Sequence, residues 1–238
     1  MSYNDYRPRG FSILPEVVKN LLIINGLFFL ITIVIGNRFN IDLNQLLGLH
    51  YPKADSFKPY QIITYMFMHG GFWHIAMNMF ALWMFGTSIE NYWGGKRFLI
   101  YYLITGLGAA FIHYLVVYFT QIAPAVSEIN ALNTMGQISN ADEYLKVFYN
   151  SIPPVVGASG AIYGLLLAFG MLFPEQIIYL YFAIPIKAKY FVILFGLFEL
   201  FTGIKNSSSD NVAHFAHLGG MLFGFILIKY WRKKGHGH

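Results

Sequence analysis

Of the 238 residues, 56% are hydrophobic and only 11% are charged, whereas a soluble domain carries about a quarter charged residues. There is no cysteine, which excludes disulfides, thiol catalysis and cysteine-ligated metals. The net charge of +5 falls between long uncharged runs, a pattern that speaks for basic loops of a membrane protein and against a nucleic-acid surface.

Met1–Lys19 is polar and basic, and the first apolar run after it lacks a small-residue cleavage site, so that run is expected to be a retained helix rather than a cleaved leader. Helices are predicted at about 18–36, 74–92, 98–120, 158–173, 189–203 and 212–231; all but the fifth fall on uncharged stretches that can hold about 20 helical residues, the length that crosses a bilayer core. This makes an all-α, polytopic membrane protein with six transmembrane helices. Residues 1–17 form an N-terminal segment, 18–231 the membrane domain and 232–238 a basic tail.

Six crossings put both termini on one side. Arg7, Arg9, Lys19, Lys96, Arg97, Lys187, Lys189, Lys229, Arg232, Lys233 and Lys234 then share that side, against Arg38, Lys53, Lys58, Lys146 and Lys205 on the other, 11 of the 16 basic residues against 5. The excess makes the side of the termini cytoplasmic, with the chain in the cell (inner) membrane.

Two outer loops are long. In the first, 37–73, Tyr60–Met68 is apolar and is expected to dip into the outer leaflet. The second, 121–157, is the most polar part of the chain, and Pro153-Pro154 ends any helix before Gly157. The fifth helix departs from the other spans, because Tyr190–Gly203 is short and contains Glu199. Its short length and its phenylalanines make it the element expected to be held least, a candidate side door. The preceding Gln176–Ile186 reads as a segment on the membrane surface.

Polar side chains at membrane depth need a partner or a wet cavity. His69, His74, Asn78, His113, His214 and His217 lie in or beside apolar segments. Any one histidine is accounted for as a hydrogen-bonded contact between helices. Gly157-Ala158-Ser159-Gly160 opens the fourth helix, where unpaired backbone N–H groups can stabilise an oxyanion. The plainer reading is an N-cap serine, with Gly160 and Gly164 as a packing motif. On the sixth helix His217, Gly220 and Gly224 share one face. A close approach of that face to the fourth helix would bring His217 to Ser159, with Tyr163 one turn below able to stack on the ring. His74 and Asn78 share a face of the second helix and can donate to an oxyanion or simply join two helices. Zinc held by His69, His74, His214 and His217 is a further reading, but no carboxylate lies near them in sequence and His-Glu-x-x-His does not occur.

Together these motifs resemble the rhomboid family of intramembrane serine proteases, of bacterial type with a six-helix core. His74-x-x-x-Asn78, Gly157-x-Ser159-Gly160 and Ala216-His217-x-x-Gly220-x-x-x-Gly224 come in the family's order, over about residues 18–231. The resemblance implies Ser159 as nucleophile and His217 as base, a dyad without a carboxylate. It implies an oxyanion site of the His74 side chain, the Asn78 amide and the Ser159 N–H. Tyr163, Gly157, Gly160, Gly220 and Gly224 support the site, and Glu90 matches a structural polar position. No cofactor and no metal is implied, and the partners are transmembrane protein substrates and lipid, with no nucleic acid. Many members carry Trp-Arg in the first loop where this chain has Lys58-Pro59-Tyr60-Gln61. Two other classes compete. A catalytically inactive relative that binds clients would usually lack Ser159 or His217, and a transporter would place its polar residues at mid-depth.

Overall fold

The computed structural model describes residues 10–180, 183–205 and 211–235, with backbone alone at 211 and 212. Arg7, Arg9 and the end of the tail, 236–238, lie outside the described residues. In chain order the helices are α1 (Glu16–Phe39), α2 (Leu43–Leu47), α3 (Gln61–Thr64), α4 (Phe72–Trp93), α5 (Gly95–Val117), α6 (Ala123–Thr134), α7 (Ala141–Ser151) and α8 (Ser159–Leu172), followed by a hairpin of β1 (Ile177–Leu180) and β2 (Ile184–Lys187), then α9 (Ala188–Lys205) and α10 (Asn211–Lys233). The six predicted spans correspond to α1, α4, α5, α8, α9 and α10. Helix α5 is central, packing closely on α8 and α10, while α9 leans on α10 and α8.

The solvation of this bundle is inverted. Leu27, Leu30 and Val34 of α1, Leu197 and Phe201 of α9 and Phe225 of α10 point outward, whereas Asn25, Asn78, Thr105, Glu90 and Glu199 are buried. Apolar faces of this extent need a nonaqueous surrounding. Glu16–Phe39 and the stretch Gly95–Thr134 are each long and apolar enough to cross a bilayer unaided.

Glu90 shows what a buried acid does here. Helix α1 starts after Pro15, which offers no side-chain cap. Its orphan N–H groups are met from α4: Val17 N–H donates to Glu90 Oε1 at 2.9 Å and Val18 N–H to Oε2 at 2.7 Å. The carboxylate also faces the positive end of the α1 dipole. The first loop is held by another buried polar residue. Gln61 accepts from Lys58 N–H at 3.0 Å and from His50 N–H at 3.4 Å, and donates to Ser56 O at 3.0 Å and Leu46 O at 3.1 Å. It thus supports the loop at the place where Trp-Arg is common in the family.

Three regions differ from expectation. The polar loop 121–157 is largely helical: a single π turn over 118–122 continues α5 into α6. Pro124 is accommodated near the start of α6. Asn140 caps α7 by accepting from Glu143 N–H at 3.3 Å, with Asp142 and Glu143 in its first turn. Helix α7 ends before Pro153-Pro154, as anticipated. Second, Ile177–Leu180 and Ile184–Lys187 pair as two short antiparallel strands, a small addition to an otherwise helical fold. Ile177 pairs with Lys187, Ile178 with Ile186 and Tyr179 with Pro185; β-branched residues favour this pairing, and a proline is tolerated in a strand with a free edge. Third, α9 starts one residue early and ends two residues late. Ala188 N–H donates to Gln176 O at 2.8 Å and Lys189 N–H to Pro174 O at 3.2 Å, so the helix has 18 residues and runs about 27 Å. Below it Glu175 pairs with Lys187 at 2.7 Å and with Lys189. Hydrogen bonds from these two ammonium groups pull its carboxyl down to about 2.

Replacing Glu90 by alanine strands two donors at the start of α1 and is expected to remove about 2–3 kcal/mol of stability. Glu90→Gln keeps one acceptor and should lose about half of that. Thermal unfolding in detergent checks the order, and equal Tm values for all three proteins would refute the cap.

Candidate active site

The approach to Ser159 is built from the first loop. Leu49 and Val155 exchange backbone hydrogen bonds at 2.9 and 3.0 Å, and Gly157 N–H donates to Tyr65 O at 2.9 Å. These contacts hold the strand that delivers Gly157. Its φ is +127°, in the region that favours glycine. A Cβ there would also sit 2.8 Å from His74 Nε2. Glycine is thus required twice, by the backbone and by the imidazole beside it.

Ser159 is not a capping residue. Ala158 holds the N-cap position, and Ser159 is the first residue of α8, where the backbone N–H has no helical partner. Its Oγ lies 2.9 Å from His217 Nε2. The pair meets because α10 presents glycine where it crosses α8: a Cβ on Gly220 would fall 1.9 Å from Gly160 O. The expected glycine contact is more divided than a two-helix zipper. Gly160 also receives Ala109 of α5, Gly164 receives Thr105, and Gly224 receives the Tyr101 hydroxyl. Helices α5, α8 and α10 close on one another.

Tyr163 stacks on His217 with centroids 4.2 Å apart and planes 6° from parallel. His74 stands across from Ser159 beside Gly157, its Nδ1 accepting from Gly70 N–H at 3.4 Å. Asn78 lies one turn further along α4, 6% exposed. His69 packs edge-on to the His74 ring at 5.0 Å, and His113 contacts the Tyr114 ring on α5.

The reading of the site as a dyad without a carboxylate missed one residue. Glu199 of α9, 3% exposed, reaches His217 Nδ1 with its Oε2 at 3.1 Å and His214 Nδ1 at 2.6 Å. Its Oε1 accepts from the Tyr163 hydroxyl. The Tyr163 hydroxyl donates to it, and the two Nδ1 atoms donate as well in the tautomer that carries a proton there, which is the arrangement an ionised carboxylate takes. His214 therefore faces Glu199, and it is His217 that faces Ser159. Glu199, His214 and His217 bring their ligand atoms within 4.8 Å of one another, which makes them the set best placed to hold a metal ion. Their mutual hydrogen bonds already account for that closeness. The carboxylate absent from the sequence neighbourhood of these histidines arrives from another helix. An acid at mid-helix in an otherwise apolar span was the available signal.

A polytopic helical bundle with a serine and an imidazole joined near one end defines the class: a membrane-embedded protein with a serine-centred site. Residues 56–234 match the rhomboid domain, and the chain belongs to the rhomboid family. It is 30% identical over 223 residues to RHOMBOID-like protein 12, mitochondrial, of Arabidopsis thaliana, covering 92% of this chain and 59% of that protein. To Rhomboid protein 1, mitochondrial, of Saccharomyces cerevisiae it is 27% identical, over 72% of this chain and 42% of the relative. Rhomboid protease GluP of Bacillus subtilis is 27% identical over 70% of this chain and 25% of its own length. The chain thus spans roughly half, or less, of the curated relatives it matches.

Gly157→Ala is expected to slow covalent labelling of Ser159 by a fluorophosphonate at least about tenfold, because a displacement of about 1 Å in such a site has effects of that size. Labelling at the unchanged rate would show that His74 and the loop tolerate a side chain there.

Proposed function

We propose that this chain is an intramembrane serine endopeptidase that hydrolyses peptide bonds in or near transmembrane segments of membrane proteins. The observation that carries this reading is the 2.9 Å contact between Ser159 Oγ and His217 Nε2 beneath an unpaired helix N-terminus. The protease named among the relatives supports it at the level of the family.

In this mechanism Ser159 Oγ attacks the scissile carbonyl carbon as its proton passes to His217 Nε2. The carbonyl π electrons move to oxygen, and the oxyanion is met by the Ser159 N–H, His74 and the Asn78 amide. As the intermediate collapses, the C–N bond breaks and the imidazolium gives its proton to the leaving amine. Water then attacks the acyl ester, with His217 as base again, and releases the acid and free Ser159. The chemistry is complete with side chains and water.

The length of α8 accounts for the setting. Its 14 residues span about 21 Å, short of a hydrocarbon core of about 30 Å. A chain that crosses six times and begins α8 below the outer surface puts Ser159 within the depth of the membrane. The exposed apolar side chains Tyr60, Ile62 and Ile63 suit a first loop dipping into the outer leaflet. The basic excess favours both termini on the cytoplasmic side of a cell membrane, or on its equivalent side in an organelle such as the mitochondria named for several relatives.

Ser159→Ala is expected to lower cleavage of a single-span substrate by about four orders of magnitude or more while leaving Tm close to that of the parent. His217→Ala should lose fluorophosphonate labelling, His214→Ala should retain it, and a chelator should leave cleavage unchanged. Cleavage by Ser159→Ala at the parent rate sinks the proposal. Zinc-reversible inhibition by the chelator would favour metal chemistry instead. A reporter fused after Lys234 should be cytoplasmic and one inserted near Asn140 external; the opposite signals would reverse the orientation.

A further inference from the structure

Helix α9 was expected to be the element held least. Its phenylalanines divide instead: Phe198 and Phe201 face outward, whereas Phe191 is buried and stacks on Phe195 at 4.4 Å. Shrinking Phe198 would thus remove little packing. The upper part of α9 is tied to the bundle by polar contacts as well as by the packing of Gly203 on Phe215. Glu199 receives Tyr163 from α8 and both His214 and His217 from α10, and Thr202 Oγ1 lies 3.2 Å from His214 Nδ1.

With Glu199 ionised, these contacts select a tautomer. An ionised carboxylate only accepts, so His217 Nδ1 must carry a proton to meet it. Neutral His217 then has its lone pair on Nε2, and the Ser159 hydroxyl donates to that nitrogen. This is the state that a general base needs before attack. When Nε2 takes the serine proton, the resulting imidazolium faces an anion across 3.1 Å in a largely buried place, where such an attraction is screened far less than in water. Tyr163 fixes the plane of the ring from one side, and Glu199 fixes its edge.

We propose that Glu199 is a positioning residue of the Ser159–His217 pair, making the site a triad whose third member is carried on α9. This rests on the protease reading given above. It adds that α9 is part of the chemical apparatus and not only a wall beside it. A displacement of α9 away from α8 and α10 withdraws the carboxylate from the imidazole, so the pair is fully armed only with α9 docked. His214 and Thr202 share the load of holding Glu199 and do not touch Ser159.

The test uses the full chain reconstituted in lipid, with Glu199→Gln, Glu199→Asp and His214→Ala beside the parent. Glu199→Gln is expected to lower kcat for a single-span substrate roughly tenfold to a hundredfold with KM changed by less than about twofold, and to slow fluorophosphonate labelling in parallel. Glu199→Asp, which keeps the charge, should recover part of the loss. Nitrogen NMR of labelled histidine supplies a readout that a merely structural role would not move. The parent and His214→Ala should hold His217 with its proton on Nδ1, and Glu199→Gln should lose that preference. Parent-like kcat in a folded Glu199→Gln protein overturns the proposal. So does a parent His217 protonated on Nε2, a result that stands even if every variant unfolds. A parent protein that neither cleaves nor labels at Ser159 would refute the protease reading instead, and the tautomer would still decide the role of Glu199.

Discussion

The close crossing of α8 and α10 is the constraint on which the rest of the site depends. Gly220 lies against the carbonyl of Gly160 so tightly that a Cβ would fall 1.9 Å from the oxygen. Within a bilayer, helices gain little from hydrophobic exclusion and associate through close van der Waals contact and hydrogen bonds. Glycine at the crossing makes that contact possible, and it sets the distance between side chains one turn above. Ser159 and His217 sit there. The reach of a serine hydroxyl and an imidazole is short, so a crossing even one methyl group wider would separate them. Helix α5 enforces the crossing from behind, with Ala109, Thr105 and Tyr101 filling the grooves that Gly160, Gly164 and Gly224 leave.

Buried acids divide the remaining work between the two ends of the bundle. Near the termini Glu90 caps α1 and binds it to α4. At the other end Glu199 gathers Tyr163, His214 and His217. Each carboxylate is surrounded by donors drawn from elements distant in the chain, which is how a membrane interior tolerates ionised groups. They also replace, with a few directed contacts, the adhesion that water would supply to a soluble bundle.

Much of this was legible in the sequence because it follows from local patterns. Five of the six long helices came from uncharged runs and the fifth in order, which carries Glu199, from a shorter apolar stretch; the limits of all six fall within a few residues of those anticipated. The pairing of Ser159 with His217, rather than with His214, followed from the glycine spacing, since Gly220 and Gly224 share a face with His217. The strands Ile177–Leu180 and Ile184–Lys187 were not anticipated because a short apolar run of this kind has no period that marks it as strand. Helices α6 and α7 were hidden by their polarity, which marks a segment outside lipid without saying whether it is folded. Glu199 was seen but misjudged. In the sequence it weakens the case for a membrane span; in the fold it ties that span to its neighbours. Which residue meets a buried acid is a tertiary fact, and His217 is 18 positions away on another helix.

Carrying the carboxylate on α9 also bears on how such a site can be inhibited. If Ser159 is the nucleophile proposed above, a compound directed at it must compete with every other serine nucleophile in the cell for selectivity. A lipid-soluble wedge that lodged between α9 and the pair α8–α10 would instead part Glu199 from His217. On the proposed role of Glu199, it would lower the reactivity of the serine without ever meeting it. Its selectivity would follow the presence of an acid on that helix, a feature that serine hydrolases of other folds cannot share.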